Sequence, residues 1–223
     1  MFINLVLGGI FYFSLCNWIQ IWYLLGNIIK PKKNKFIIFE NKELLRKMKE
    51  KTKLPLSIKI MDEKNKMIGF MVSSPPFKPL MLFSEKLHKA FTDDEMQWVI
   101  LHESGHYLMW HNLKFALSQI LIFLVVVYFS IKTNIGNALL MLLLVISAII
   151  YIQIAKVFEY QVDTYAAKNM DNPRGMITGN IKIRDANKGF LSNSIMKHLL
   201  TIAVPYEERI KLANRQIYFR KAI

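Results

Sequence analysis

The chain has 223 residues, 53% of them apolar, and a mean hydropathy of +0.24, too long for a minidomain and too apolar for an ordinary soluble domain. A formal charge of +14 would suggest nucleic acid as partner in a soluble protein. Here the lysines cluster beside apolar runs, where they fix topology and touch anionic lipid, so nucleic acid is not expected.

In chain order, Phe2 to Ile29 is almost wholly apolar or aromatic and ends at Lys30, Lys32, Lys33 and Lys35. A cleavable signal carries its positive charge before the apolar stretch, so this segment reads as an anchor left in place. Its Cys16 is the single cysteine, which excludes an intrachain disulfide and Cys-x-x-Cys metal chemistry. Asn41 to Lys51 places Leu44, Leu45 and Met48 at helical spacing among charges, an amphipathic helix on a domain surface or on a membrane. Leu56 to Met61, Met67 to Val72 and Leu80 to Ser84 are short β-leaning runs, read as a small antiparallel sheet. Gly69 in the second run hints at a bulge or a close backbone approach.

Thr92 followed by Glu95 is a capping-box signature, so a helix starts at about Asp93. It carries LHESGHYLMWH, Leu101 to His111. His102 and His106, four apart, stack on one helical face about 6 Å apart along the axis, with Glu103 beside them. No Gly or Pro lies between Gly105 and Gly136, so nothing forces a break before the next apolar run. That run, Phe115 to Ile131, and Ile135 to Ala155 are both of spanning length and are joined by Lys132, Thr133 and Asn134 into a helical hairpin. Buried helices of a large soluble core are the alternative. The third run continues as helix through Glu159 and Asp163 until Asp171-Asn172-Pro173, and Arg174 to Ile223 reads as helical.

Nearly all basic residues lie in Lys30 to Lys114 and Lys156 to Ile223. The positive-inside rule therefore predicts three spans in the cell membrane with both hydrophilic parts cytoplasmic. The expected fold is an α+β membrane protein: a mostly helical, zincin-like catalytic domain with a small antiparallel sheet and about three transmembrane helices. Its expected parts are an anchor (1–30), a first catalytic part (31–113), a transmembrane hairpin (114–156) and a second catalytic part (157–223).

A hydrolytic zinc takes three protein ligands and keeps a fourth position for water. His102, His106 and a carboxylate from another helix satisfy that, with Glu159 the best-placed candidate, giving one Zn2+ per chain. Glu103, one residue out of the ligand register, suits a general base, and Asp163, one turn beyond Glu159, suits the carboxylate that holds a histidine N–H. A helix with a solvated Glu and two structural histidines is the bland alternative. His88, His111 and His198 read as surface or interface histidines, because the primary site is already filled. On an unbroken helix His106 lies about 13 Å before Phe115, and Glu159 about 6 Å after Ala155, which puts the metal at the membrane surface.

FTDDEMQWVILHESGHYLMWH, followed after an apolar hairpin by FEYQVDTYAAK, resembles the integral-membrane gluzincin metallopeptidases that include HtpX and the type I CAAX prenyl proteases. The resemblance implies zinc on His102, His106 and Glu159, Glu103 as base and Asp163 as support. Two positions depart from the family pattern. Ile68-Gly69-Phe70 stands where an Asn-Ala-Phe-like motif is usual, and Pro205 with Arg209-Ile210 lacks the preceding histidine, which leaves Tyr206 or Arg209 as candidates to steady an oxyanion. The implied activity is zinc-dependent endopeptidase action on membrane proteins at the bilayer, in quality control. A processing or signalling protease and an inactive membrane scaffold are the alternatives. Substrates are expected as extended strands on the edge strand around Gly69.

Overall fold

A computed structural model describes residues 9–10, 12–13, 36–133, 136–186 and 204–221. Most of the expected anchor, its lysines and His198 lie outside the described residues. Leu113–Lys156, with the described part of the N-terminal segment, forms one compact unit; residues 36–112, 157–186 and 204–221 form the other.

The larger unit holds a four-stranded sheet in the order β1-β2-β4-β3, with β1 Phe36–Ile38, β2 Ser57–Met61, β3 Gly69–Met71 and β4 Leu80–Ser84. Ile58 and Ile60 on alternate positions of β2 enter the core. The sheet is mixed rather than purely antiparallel, since β2 and β4 run parallel while β1–β2 and β3–β4 are antiparallel. The reason lies in the order of pairing. The chain leaves β2, forms the outer strand β3 and returns through Ser73–Pro79 as a hairpin, which seats β4 against β2 in the same direction. Gly69 is a site of close approach: a Cβ there would stand 2.9 Å from the Phe83 ring and 3.1 Å from Val99.

Helix α1 (Lys42–Thr52) starts at an Asn41 cap that accepts from the Leu44 N–H, and it buries Leu44 and Met48. It is thus a surface helix of this unit, after which β4 runs into the short α2 (Glu85–Ala90). The capping box forms as expected, and α3 (Asp93–Leu108) begins at Asp93. Every residue from Glu95 to His106 is buried, because α1, β3 and α6 (Arg174–Ala186) surround the helix.

The expected unbroken helix past His106 does not occur. Helix α3 ends at Leu108, where the Trp110 N–H bonds the Tyr107 carbonyl at 3.1 Å, and Trp110 takes φ 58° before α4 (His111–Thr133) starts. A tightened turn followed by a left-handed residue is an ordinary helix stop, here made without glycine at a cost of about 1–2 kcal/mol. The 13 Å ruler from His106 to Phe115 therefore does not hold.

Helices α4 and α5 (Asn137–Asn169) are long and apolar enough to cross a membrane. Only 17% of the most apolar stretch of α4 and 39% of that of α5 is buried, which disfavours a soluble core. Leu117, Leu121, Leu124 and Tyr128 stand exposed along α4. The Ser130 and Ser147 hydroxyls donate to carbonyls one turn back at 2.6 and 2.7 Å, as polar groups in an apolar setting must. Helix α5 ends at Asn169, just before the predicted stop, and Arg220 of α7 (Tyr206–Lys221) donates to the carbonyls of Lys168 and Asp171 at 3.0 and 2.8 Å.

Candidate metal centre

Helices α3 and α5 bring together two segments that are some fifty residues apart in sequence. His102 Nε2 lies 3.5 Å from one Glu159 carboxylate oxygen, and His106 Nε2 lies 3.2 Å from the other. All three ligand atoms fall within 4.8 Å of one another. Donors bonded to a tetrahedral zinc at about 2.0–2.2 Å stand about 3.3–3.6 Å apart, so the cluster has the right size for one such ion. Each imidazole also has its other nitrogen engaged elsewhere, which leaves each Nε2 facing the carboxylate.

His102 Nδ1 is 2.9 Å from Asp163 Oδ1, and Asp163 is fully buried. Arg209, on α7, closes the other side of that carboxylate. Its Nε stands 2.8 Å from Asp163 Oδ2, an ion contact that falls short of an aligned hydrogen bond, and its Nη2 donates to Glu159 at 3.4 Å. The guanidinium thus faces the two carboxylates. Tyr206, half-buried in the first turn of α7, makes no hydrogen bond to the cluster.

Burial disfavours a charged His102, but the Asp163 and Glu159 carboxylates outweigh it and raise its pKa to about 10 in the metal-free pocket. Glu103 is pushed upward by burial, against the opposing pull of His102 and His106 and of the Met71 N–H, which donates to its Oε2 at 2.7 Å. That bond ties the Glu103 carboxylate to the backbone of β3, the outer strand of the sheet.

Residues 31–214 match peptidase family M48. The chain belongs to that family. Its fold is similar to the crystal structure of S. mikatae Ste24p, with a TM-score of 0.60 at 18% sequence identity over 91% of this chain. The chain spans 58% of the length of that protein. No curated protein matches it in sequence. The M48 family consists of zinc metallopeptidases, and the donor set here, two imidazoles and a carboxylate, is one that zinc takes.

His111, read from the sequence as a surface or interface histidine, is not at the surface. It is fully buried, with Nδ1 3.2 Å from His106 Nδ1, Nε2 3.2 Å from Gln161 Oε1, and its ring stacked on Phe158 at 4.7 Å. On a continuous helix a residue five after His106 would point well away from it; the stop at Trp110 turns it inward. No local signal in the sequence announces that stop, so neither His111 nor Gln161 could be placed from spacing alone.

Proposed function

We propose that the chain is a membrane-bound, zinc-dependent endopeptidase that hydrolyses peptide bonds of membrane proteins at the cytoplasmic surface, in quality control. The reading is carried by the convergence of His102 Nε2, His106 Nε2 and the Glu159 carboxylate beside a buried Glu103. The basic residues flanking the apolar helices support the cytoplasmic orientation, and the exposed apolar length of α4 and α5 supports the membrane.

A zinc ion held by those three residues would polarise the scissile carbonyl and make a water acidic at neutral pH. Glu103 takes a proton from the attacking water as its oxygen bonds the carbonyl carbon. The same carboxyl then delivers that proton to the departing amine nitrogen as the C–N bond breaks. Its upward shift suits the first half of this exchange, because a carboxyl that binds its proton more firmly is the stronger base. Asp163 holds His102 by Nδ1, and Arg209 holds both Asp163 and Glu159, so the carboxylates keep their places without spending the base.

Substrate is taken as an extended strand on β3. In the β3–β4 ladder the Val72 N–H and the Ile68 carbonyl bond to β4, so by alternation the backbone groups of Gly69 and Met71 point away from β4. The Met71 N–H is held by Glu103, which brings the base alongside the strand that would receive the peptide.

The test compares wild type with Glu103→Gln on a membrane-anchored substrate and on its soluble counterpart. Zinc binding should persist in the variant while hydrolysis falls about 10²–10⁴-fold. Retained cleavage in the variant would defeat the mechanism, and equal cleavage of the two substrates would defeat its membrane part.

A further inference from the structure

Resting on the metal assignment above, we infer that His111 and Gln161 form a neutral hydrogen-bond relay that positions His106 as a ligand. The relay does for His106 what Asp163 does for His102. The direction of every bond follows from the use of His106 Nε2. An imidazole that presents the Nε2 lone pair to a metal carries its hydrogen on Nδ1. The His106 Nδ1–H can then donate to His111 Nδ1 at 3.2 Å. That acceptance fixes the second ring in turn. His111 carries its hydrogen on Nε2 and donates it to Gln161 Oε1, also at 3.2 Å.

Three observations separate this relay from ordinary packing. His111 is wholly shielded from solvent, so a ring nitrogen there needs a partner, and each of its two nitrogens has one. Its plane is held by Phe158 at an interplanar angle of 14°, which aims Nδ1 at His106. Finally, Gln161 lies on α5 between Glu159 and Asp163 in sequence, so the helix that brings the carboxylate ligand also supports both histidines. His111 is thus a positioning residue that touches neither metal nor substrate.

The experiment measures zinc affinity of the full-length chain in detergent by competition with a chromophoric chelator. His111→Phe keeps a flat ring on Phe158 but has no acceptor; His111→Asn restores an acceptor oxygen near the Nδ1 position. The Phe variant should bind zinc about 10–100-fold more weakly, while the Asn variant recovers to within about threefold of wild type, and Gln161→Met falls between them. Wild-type affinity in His111→Phe, or equal losses in Phe and Asn, would overturn the relay, the second result showing packing alone. If His111→Phe fails to fold, Gln161→Met decides, and wild-type affinity there also overturns it. His106→Ala separates this failure from failure of the metal assignment. If that variant binds zinc like wild type, the assignment itself falls and takes the relay with it.

Discussion

Replacing Gly105 by alanine tests whether the separation of two helices sets the geometry of the centre. A Cβ at this position would meet Val162 Cγ1 at 3.0 Å, Val162 Cβ at 3.1 Å and Tyr165 Cδ1 at 3.3 Å. None of these is the loose end of a flexible side chain. Val162 is fully buried and β-branched, and its Cβ is fixed to the backbone of α5, so the helices themselves must part by a few tenths of an ångström. Alanine favours helix over glycine by about 1 kcal/mol, whereas overpacking a close-packed core costs about 1–3 kcal/mol. The overpacking wins here, and the net loss is about 1 kcal/mol. Zinc affinity should fall as well, because His106 and Glu159 sit on the two helices being separated and a shift of a few tenths of an ångström takes up much of the roughly 0.5 Å that a ligand set tolerates. Thermal unfolding in detergent and chelator competition read the two effects separately. A Gly105→Ala protein that melts higher than wild type and binds zinc equally well would refute the reasoning.

Asp163→Asn should weaken zinc binding about 10–100-fold by chelator competition, because the anionic partner of His102 is lost while Arg209 remains buried beside it. Gly175→Ala should cost at least about 1–3 kcal/mol in a melting experiment, since its Cβ would lie 2.5 Å from the Asp94 carbonyl carbon and oxygen, backbone atoms that cannot step aside. Asp171 should contribute to acid sensitivity. Burial works against its charge, but Lys47, Lys51 and Gln97 outweigh it and hold its carboxyl well below the usual range. A carboxyl whose folded pKa is depressed contributes stability above its unfolded value of about 3.9, and that contribution is lost as pH falls below it. Melting temperatures measured from pH 6 down to pH 3 should drop less steeply in Asp171→Asn than in wild type; parallel curves would show that Asp171 carries none of the slope.

What could be read from the sequence was whatever a single helix encodes by spacing. His102 and His106 one turn apart, Glu159 and Asp163 one turn apart, and the Thr92–Glu95 capping box are all local patterns, and the helices formed where those patterns placed them. Features decided between elements were not legible. The parallel pairing of β2 with β4 joins strands that are not consecutive, and nothing within either strand distinguishes a parallel neighbour from an antiparallel one. Strand β1 has three exposed apolar residues in a row, with no alternation to mark it. The stop at Trp110 is made by a residue that rarely takes positive φ, so the rule that looks for Gly or Pro passes over it. His111 was misplaced as a consequence. Arg209 was considered as an oxyanion donor because the histidine of the family pattern is missing before Pro205, and its nearest charges, Asp163 and Glu159, become visible only when α7 is packed.

The different supports of the two histidines follow from charge. Around the proposed metal position, among the described residues, stand three carboxyl groups and one guanidinium: Asp163 is fully buried, Glu103 is buried, and Glu159 and Arg209 are mostly so. With a divalent cation bound and Glu103 ionised, these charges cancel, which is the condition under which a low-dielectric pocket holds ions at tolerable cost. A second aspartate behind His106 would leave one negative charge uncompensated. It would also raise Glu103 further, since its pKa is already pushed up by burial and by the Glu159 charge. A neutral support avoids both effects and still fixes the tautomer. His111 with Gln161 behind it is such a support, and the left-handed Trp110 that turns His111 inward is the backbone feature that makes it available.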